Sequence, residues 1–223
     1  MRRHGNGEGF AAVGQEIGLG VTAMIRGTLA LLRGDLQAAE THYRFALGIA
    51  GRLRDDTLAG DVLSLLGLVL LARGDVSGGR RSVLDGATEA LRRDGNPTTM
   101  VHALEGLAAV APAHGRPAVA ARALAASTGA RQNAPMALWP VITSLAADLA
   151  GRSKEQLGQE NYAAAWEEGR EWPLVRALNR TLEDLADTDK PGDTSPPPPD
   201  AEAGHPAAAR PERSRNGSAE RQQ

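Results

Sequence analysis

Gly34-Asp35-Leu36-Gln37-Ala38-Ala39-Glu40-Thr41-His42-Tyr43-Arg44-Phe45-Ala46-Leu47 is the stretch whose reading decides the fold. Asp is a helix-capping residue, and the glycine before it supplies the positive φ that ends the preceding helix. After the cap, Ala39, Tyr43, Ala46 and Leu47 share one helical face, with a ring between two small side chains. The apolar run that leads to Leu32 reads as the helix that Gly34 terminates. The unit is a helical hairpin.

The same punctuation returns at Arg73-Gly74-Asp75 and His114-Gly115-Arg116, forty and then forty-one residues on. Aligned on these glycines, Gly27, Gly67 and Ala108 stand seven residues before the turn, where a small side chain lets the next helix approach. Ala39, Gly79 and Ala120 stand five after it, Tyr43, Val83 and Leu124 nine after, and Ala46, Gly86 and Ser127 twelve after. Small, large, small recurs three times, a knob between two notches. Such internal repetition at a fixed period points to stacked supersecondary units. Helices are expected at 14–33, 36–54, 57–73, 76–94, 97–113 and 117–131, then around 136–150, from Ser153 to Arg170, and from Pro173 to Asp187. The expected fold class is all-α, a right-handed solenoid of about three hairpins plus a C-terminal capping helix group that holds Trp139, Trp166 and Trp172.

Composition agrees. Aromatic residues make 3% of the 223, while Ala and the 26 Gly supply nearly a third, which disfavours β-sandwiches and barrels. From 188 to 223 no large apolar residue occurs, and Pro196 to Pro199 are consecutive; a disordered Pro/Ala/Arg-rich tail is expected there, and a flexible N-terminus over residues 1–12. The folded solenoid should span 13–187. Absence of Cys excludes disulfides, thiolate metal sites and a cysteine nucleophile. With 25 basic against 27 acidic residues, nothing argues for direct nucleic-acid binding or a membrane. Met1-Arg2-Arg3 is followed by Gly-rich sequence and Glu8 where a signal peptide needs an apolar stretch, so a cytoplasmic protein is expected.

The first hairpin, Gly34 to Leu47, resembles the tetratricopeptide (TPR) pattern of Gly-Asp, Ala, an aromatic and Ala-Leu, with longer helices and two degenerate later copies. A more specific likeness begins at Ala120-Ala121-Arg122-Ala123-Leu124-Ala125-Ala126 and continues through Gln156 to Arg170, most distinctively in Tyr162-x-x-x-Trp166-x-x-Gly169-Arg170. His102 to Val110 fits it as well. Over roughly 25–180 the chain resembles the C-terminal TPR-like region of actinobacterial LuxR-type and AfsR-like regulators, in which a STAND-type ATPase precedes the repeats. The departure is Glu171-Trp172-Pro173 after Gly-Arg, so the last helix is expected to pack differently from the family's.

The resemblance implies an ATPase and a DNA-reading domain that these residues lack. Lys154 and Lys190 stand in no P-loop context, and no helix-turn-helix follows the repeats. Gly18-Leu19-Gly20 lacks the strand of a dinucleotide site. The two Arg-Gly-Asp tripeptides fall on hairpin turns. His4, His42, His102, His114 and His205 are scattered, so no metal is expected. Asp55-Asp56 and Glu167-Glu168 diverge by about 100° on a helix and read as caps and surface charge, while Arg80-Arg81 and Arg92-Arg93 read as solvated.

No catalytic residues, cofactor or enzyme activity are therefore expected. In TPR stacks the first helix of each hairpin lines a concave groove. Carried over by register, the exposed partner-binding stripe would be Met24, Thr28, Asp61, Ser64, Leu68, His102 and Glu105, suited to a protein or peptide with an apolar stripe and positive charge. The expected function is a regulatory interaction module, with an ATPase or DNA-binding regulator domain on another chain as one such partner. The alternative is a stand-alone TPR scaffold or chaperone-like adaptor unrelated to transcription.

Overall fold

The computed structural model describes residues 5–92, 96–133, 148 and 151–186. They are helical throughout: α1 (Gly5–Leu32), α2 (Leu36–Leu53), α3 (Asp56–Ala72), α4 (Val76–Leu91), α5 (Pro97–Val110), α6 (Pro117–Asn133), α7 (Gln159–Arg170) and α8 (Leu174–Ala186). A further helical segment covers 151–157. Most of the helix expected at 136–150, with Trp139, and the tail from 188 lie outside the described residues.

The punctuation acts as its chemistry dictates. Gly34, Gly74 and Gly115 all adopt positive φ, at 75°, 86° and 67°. The Asp35 carboxylate accepts from the Ala38 N–H at 3.0 Å, and Asp75 accepts from Gly78 at 2.8 Å. Asp55 caps α3 in the same way, and Asn96 caps α5 ahead of Pro97. Three boundaries differ from expectation. The helix expected from Ser153 to Arg170 is interrupted at Gly158, whose φ of 76° separates the segment 151–157 from α7. α1 starts at Gly5, earlier than residue 14, because neither proline nor a left-handed glycine interrupts 5–14. α5 stops at Val110 and continues as a 3-10 turn, Ala111–His114, because Pro112 has no N–H for the α-helical ladder.

Each helix packs on the next from α1 to α6, and α1 also touches α3, as α3 touches α5. The knob-and-notch alignment describes these contacts. Gly27 lies against the Tyr43 ring, inside one apolar cluster of Tyr43, Ala39, Ala46, Val62, Leu66 and Val69. Gly67 lies against Val83 and the backbone of Gly79, and Gly60 against the backbone of Gly86. Glycine in mid-helix costs about 1 kcal/mol relative to Ala; at these positions it permits α3 and α4 to touch through their backbones. A second cluster joins Val83, Leu104, Leu107 and Leu124 to Ala177, Leu178 and Leu185 of α8. Trp166 and Trp172 pack on its edge, so the C-terminal helices complete that core.

Candidate functional site

The seven residues of the expected groove stripe are placed by their own helices, and most of them face other helices. Thr28, Ser64, Leu68, His102 and Glu105 are buried, while Met24 and Asp61 are half-buried. The stripe is therefore not the exposed surface the register suggests. Thr28 is covered by Tyr43 of α2 and Ser64 by Gly86 of α4. For His102 and Glu105 the reason is α5 itself, on which α3, α4, α6 and α8 all pack, and of its residues from Thr99 to Val110 only Ala109 escapes full burial.

Each polar member of the stripe has a structural partner. Thr28 donates to the Met24 carbonyl at 3.1 Å, and its Oγ1 lies 3.0 Å from the Tyr43 hydroxyl, which leaves the tyrosine to donate. Burial pushes the Tyr43 hydroxyl up to about 12, with the Thr28 bond pulling the other way. Ser64 donates to the Gly60 carbonyl at 2.9 Å and sits beneath Gly86 of α4. His102 Nδ1 donates to the Asp61 carboxylate at 3.0 Å, across α5 and α3 at equivalent repeat positions. Glu105 pairs with Arg131 at the end of α6. Burial holds the Arg131 guanidinium below its ordinary value. Thr28, His102 and Glu105 thus tie neighbouring helices together, while Ser64 bonds within α3.

The open concavity lies elsewhere, at the edge where the α2–α3 and α4–α5 connections meet α1. A cavity of about 330 Å³ is lined by Val13 and Ile17 of α1, by Leu53 to Thr57, by Glu89 and Ala90 of α4 and its C-cap Arg92, and by Asn96 and Thr99. Arg54 is held there in a left-handed conformation, φ 55°. The floor carries the Thr99 hydroxyl, buried and without a hydrogen-bond partner among the described residues. Arg92 bridges back to Glu89 at 3.3 Å. Guanidinium and carboxylate groups share one rim, a surface that can receive both charges of a peptide. The signals were in the sequence, as Asp55-Asp56 and Arg92, but nothing local brings loops about forty residues apart together.

The second feature missed from sequence is the joint at Arg122. Its guanidinium reaches Glu168 at 3.4 Å and Asp184 at 3.1 Å, and lies 5.8 Å from the centre of a Trp172 ring. Arg176 lies 5.7 Å from the same ring. Tyr162 and Trp166 stack at 5.6 Å, and Gly169 lies on the backbone of Arg122. The Tyr-x-x-x-Trp-x-x-Gly-Arg element is thus a packing joint between α6 and α7.

Among the described residues, no three or more His, Asp or Glu are grouped to hold a metal ion, and no helix is long and apolar enough to cross a membrane. No protein-family model, no curated protein and no solved structure matches this chain.

Proposed function

We propose that this chain is a non-enzymatic protein-interaction module, a TPR-like right-handed stack of hairpins resembling the repeat region of LuxR-type and AfsR-like regulators. It would act in the cytoplasm by binding a protein or peptide, an ATPase or DNA-binding regulator on another chain included. One observation carries the reading: α1 touches α3 and α3 touches α5, so first helices meet first helices across each intervening second helix, at the forty-residue register of the turn glycines. That is how stacked hairpins present a continuous surface.

The buried stripe of Thr28, Ser64, His102 and Glu105 serves to space the helices, and partner contact moves to the cavity at the loop edge. There Arg54 and Arg92 face outward beside Asp55 and Glu89, a mixed-charge rim over apolar Val13 and Ile17. A peptide carrying a carboxylate next to an apolar side chain fits it. The test is a pull-down from native lysate with the full chain and with an Arg54→Glu/Arg92→Glu variant. Loss of a specific protein from the variant supports this location; an identical set of captured proteins removes it. ATP hydrolysis by the purified chain would overturn the non-enzymatic reading.

A further inference from the structure

The first helix has a face that no part of the described chain covers. Val21, Ile25, Leu29 and Leu32 are exposed, the last three at 36%, 43% and 49%. Gly14 and Gly18 extend the same stripe toward the N-terminus, and a side-chain carbon added at either would meet no atom of the described residues within 4 Å. The spacing, four, three, four, four and three residues, is that of a helix–helix seam. It spans about 27 Å of helix.

Repeat register shows what such a face does elsewhere in the molecule. Nine residues before each turn glycine stand Ile25, Leu65 and Gly106. Leu65 is buried in the cluster that α2 shares with α3, and Gly106 lies against Val83 of α4. Five before the turn stand Leu29, Val69 and Val110, of which the latter two are buried. In α3 and α5 this face receives the second helix of the preceding hairpin; in α1 it is open. The contrast among glycines is equally informative. Gly20 and Gly27, on the opposite side of α1, are pressed by Ile49, Leu58 and Tyr43, whereas Gly14 and Gly18 omit a side chain with no use for the space inside the chain.

We infer that the occupant is a second copy of this chain, docked α1 on α1 in antiparallel orientation. The seam has glycines at one end and leucines at the other, so only an antiparallel copy sets notch against knob. That pairing places Gly14 opposite Leu32 of the copy, Gly18 beside its Leu29, and Val21 opposite its Ile25. A parallel pairing stacks leucine on leucine at one end and leaves a gap at the other. Charge is compatible as well. The exposed Arg26 and Arg33 on the flank fall beside Thr22 and Gln15 of the copy, so neither meets another arginine. Burying this stripe supplies the apolar drive for association, and the absent side chains at 14 and 18 let the two helices approach as α3 and α4 do.

The test is the mass of the full chain in solution, by light scattering or sedimentation equilibrium. The expected result is a dimer for the wild type and a monomer for Leu29→Arg, with unchanged far-UV circular dichroism because the site is exposed. Orientation is read by cross-linking, since the chain has no Cys. Chains carrying Gly18→Cys mixed with chains carrying Leu29→Cys should form an interchain disulfide on oxidation, whereas Leu29→Cys alone should not. A monomeric wild type, a dimer that survives Leu29→Arg, or efficient self-cross-linking of Leu29→Cys would each overturn the proposal.

Discussion

The ring of Tyr43 lies in the notch left by Gly27: a side-chain carbon at Gly27 would stand 2.6 Å from Cε1 of the ring. Tyr43 is fully buried, so the ring cannot swing away into solvent. Gly27→Ala therefore sets a gain in helix propensity of about 1 kcal/mol against overpacking of about 1–3 kcal/mol, and the second should win. Gly51→Ala is the matched control, because nothing stands within 4 Å of its added carbon; it should stabilise by up to about 1 kcal/mol. Denaturant midpoints of the two variants should move in opposite directions. A stabilised Gly27→Ala would show that the notch is not needed.

Tyr43 also sets the behaviour at high pH. Its hydroxyl is raised from 10.0 to about 12, chiefly by burial. Above pH 10 the unfolded chain loses this proton while the folded chain keeps it, so the unfolded state binds fewer protons and stability falls as pH rises. The loss is about 1.4 kcal/mol per pH unit and runs from the unfolded value to the folded one, where it levels off. Tyr43→Phe should lower stability at neutral pH by about 1 kcal/mol, the value of a buried hydrogen bond. It should also flatten the decline between pH 10 and about 12. Equal slopes for the two proteins would count against the buried, Thr28-bonded hydroxyl.

What could be read before any coordinates was the chemistry that acts over a few residues. A positive-φ glycine marks a turn whatever surrounds it, and all three repeat glycines behave so, with a capping Asp after the first two. The pairs Gly27 with Tyr43 and Gly67 with Val83 were legible because both partners belong to one hairpin. Register also shows that His102 and Glu105 share a face, but it does not show what lies over that face. What lies over it is Asp61 of α3 at His102 and Arg131, from the end of α6, at Glu105. Contacts between residues 26 and 41 positions apart have no local signal, and with them this part of the expected groove becomes interior. The cavity at Arg54 and Arg92 was hidden for the same reason, since two connections and a helix far apart in the chain make it.

Glu105 and Arg131 offer a direct measure of that interior. The Glu105 side chain is 2% exposed and that of Arg131 11%, so each charge depends on the other for compensation. Glu105→Leu alone leaves a buried guanidinium without its counter-charge and should cost about 3–5 kcal/mol. Adding Arg131→Met should restore most of it, because replacing a buried pair by apolar groups is often neutral or better. The readout is a double-mutant cycle in urea. Additive losses would mean that the two side chains do not act as a pair.

Gly169 tests the joint between α6 and α7 in a way Gly27 cannot. A side-chain carbon at Gly169 would run into the carbonyl, Cα and carbon of Arg122. Backbone has no rotamer to change, so Gly169→Ala can be accommodated only by moving α7 off α6. Arg122 would then lose reach to Glu168, and its place over Trp172 would shift with it. The expected cost is about 3 kcal/mol, the upper end for an added methyl in a packed interface. Amide exchange should quicken across Gln159–Arg170 while α1 to α3 keep their protection. Gly129→Ala is the comparison, since its added carbon would stand an ordinary 3.8 Å from the Arg170 carbonyl, and it should leave α7 protected. If both variants loosened α7 alike, helix propensity or general instability would be the cause, and the close approach at Arg122 would not be what holds this end together.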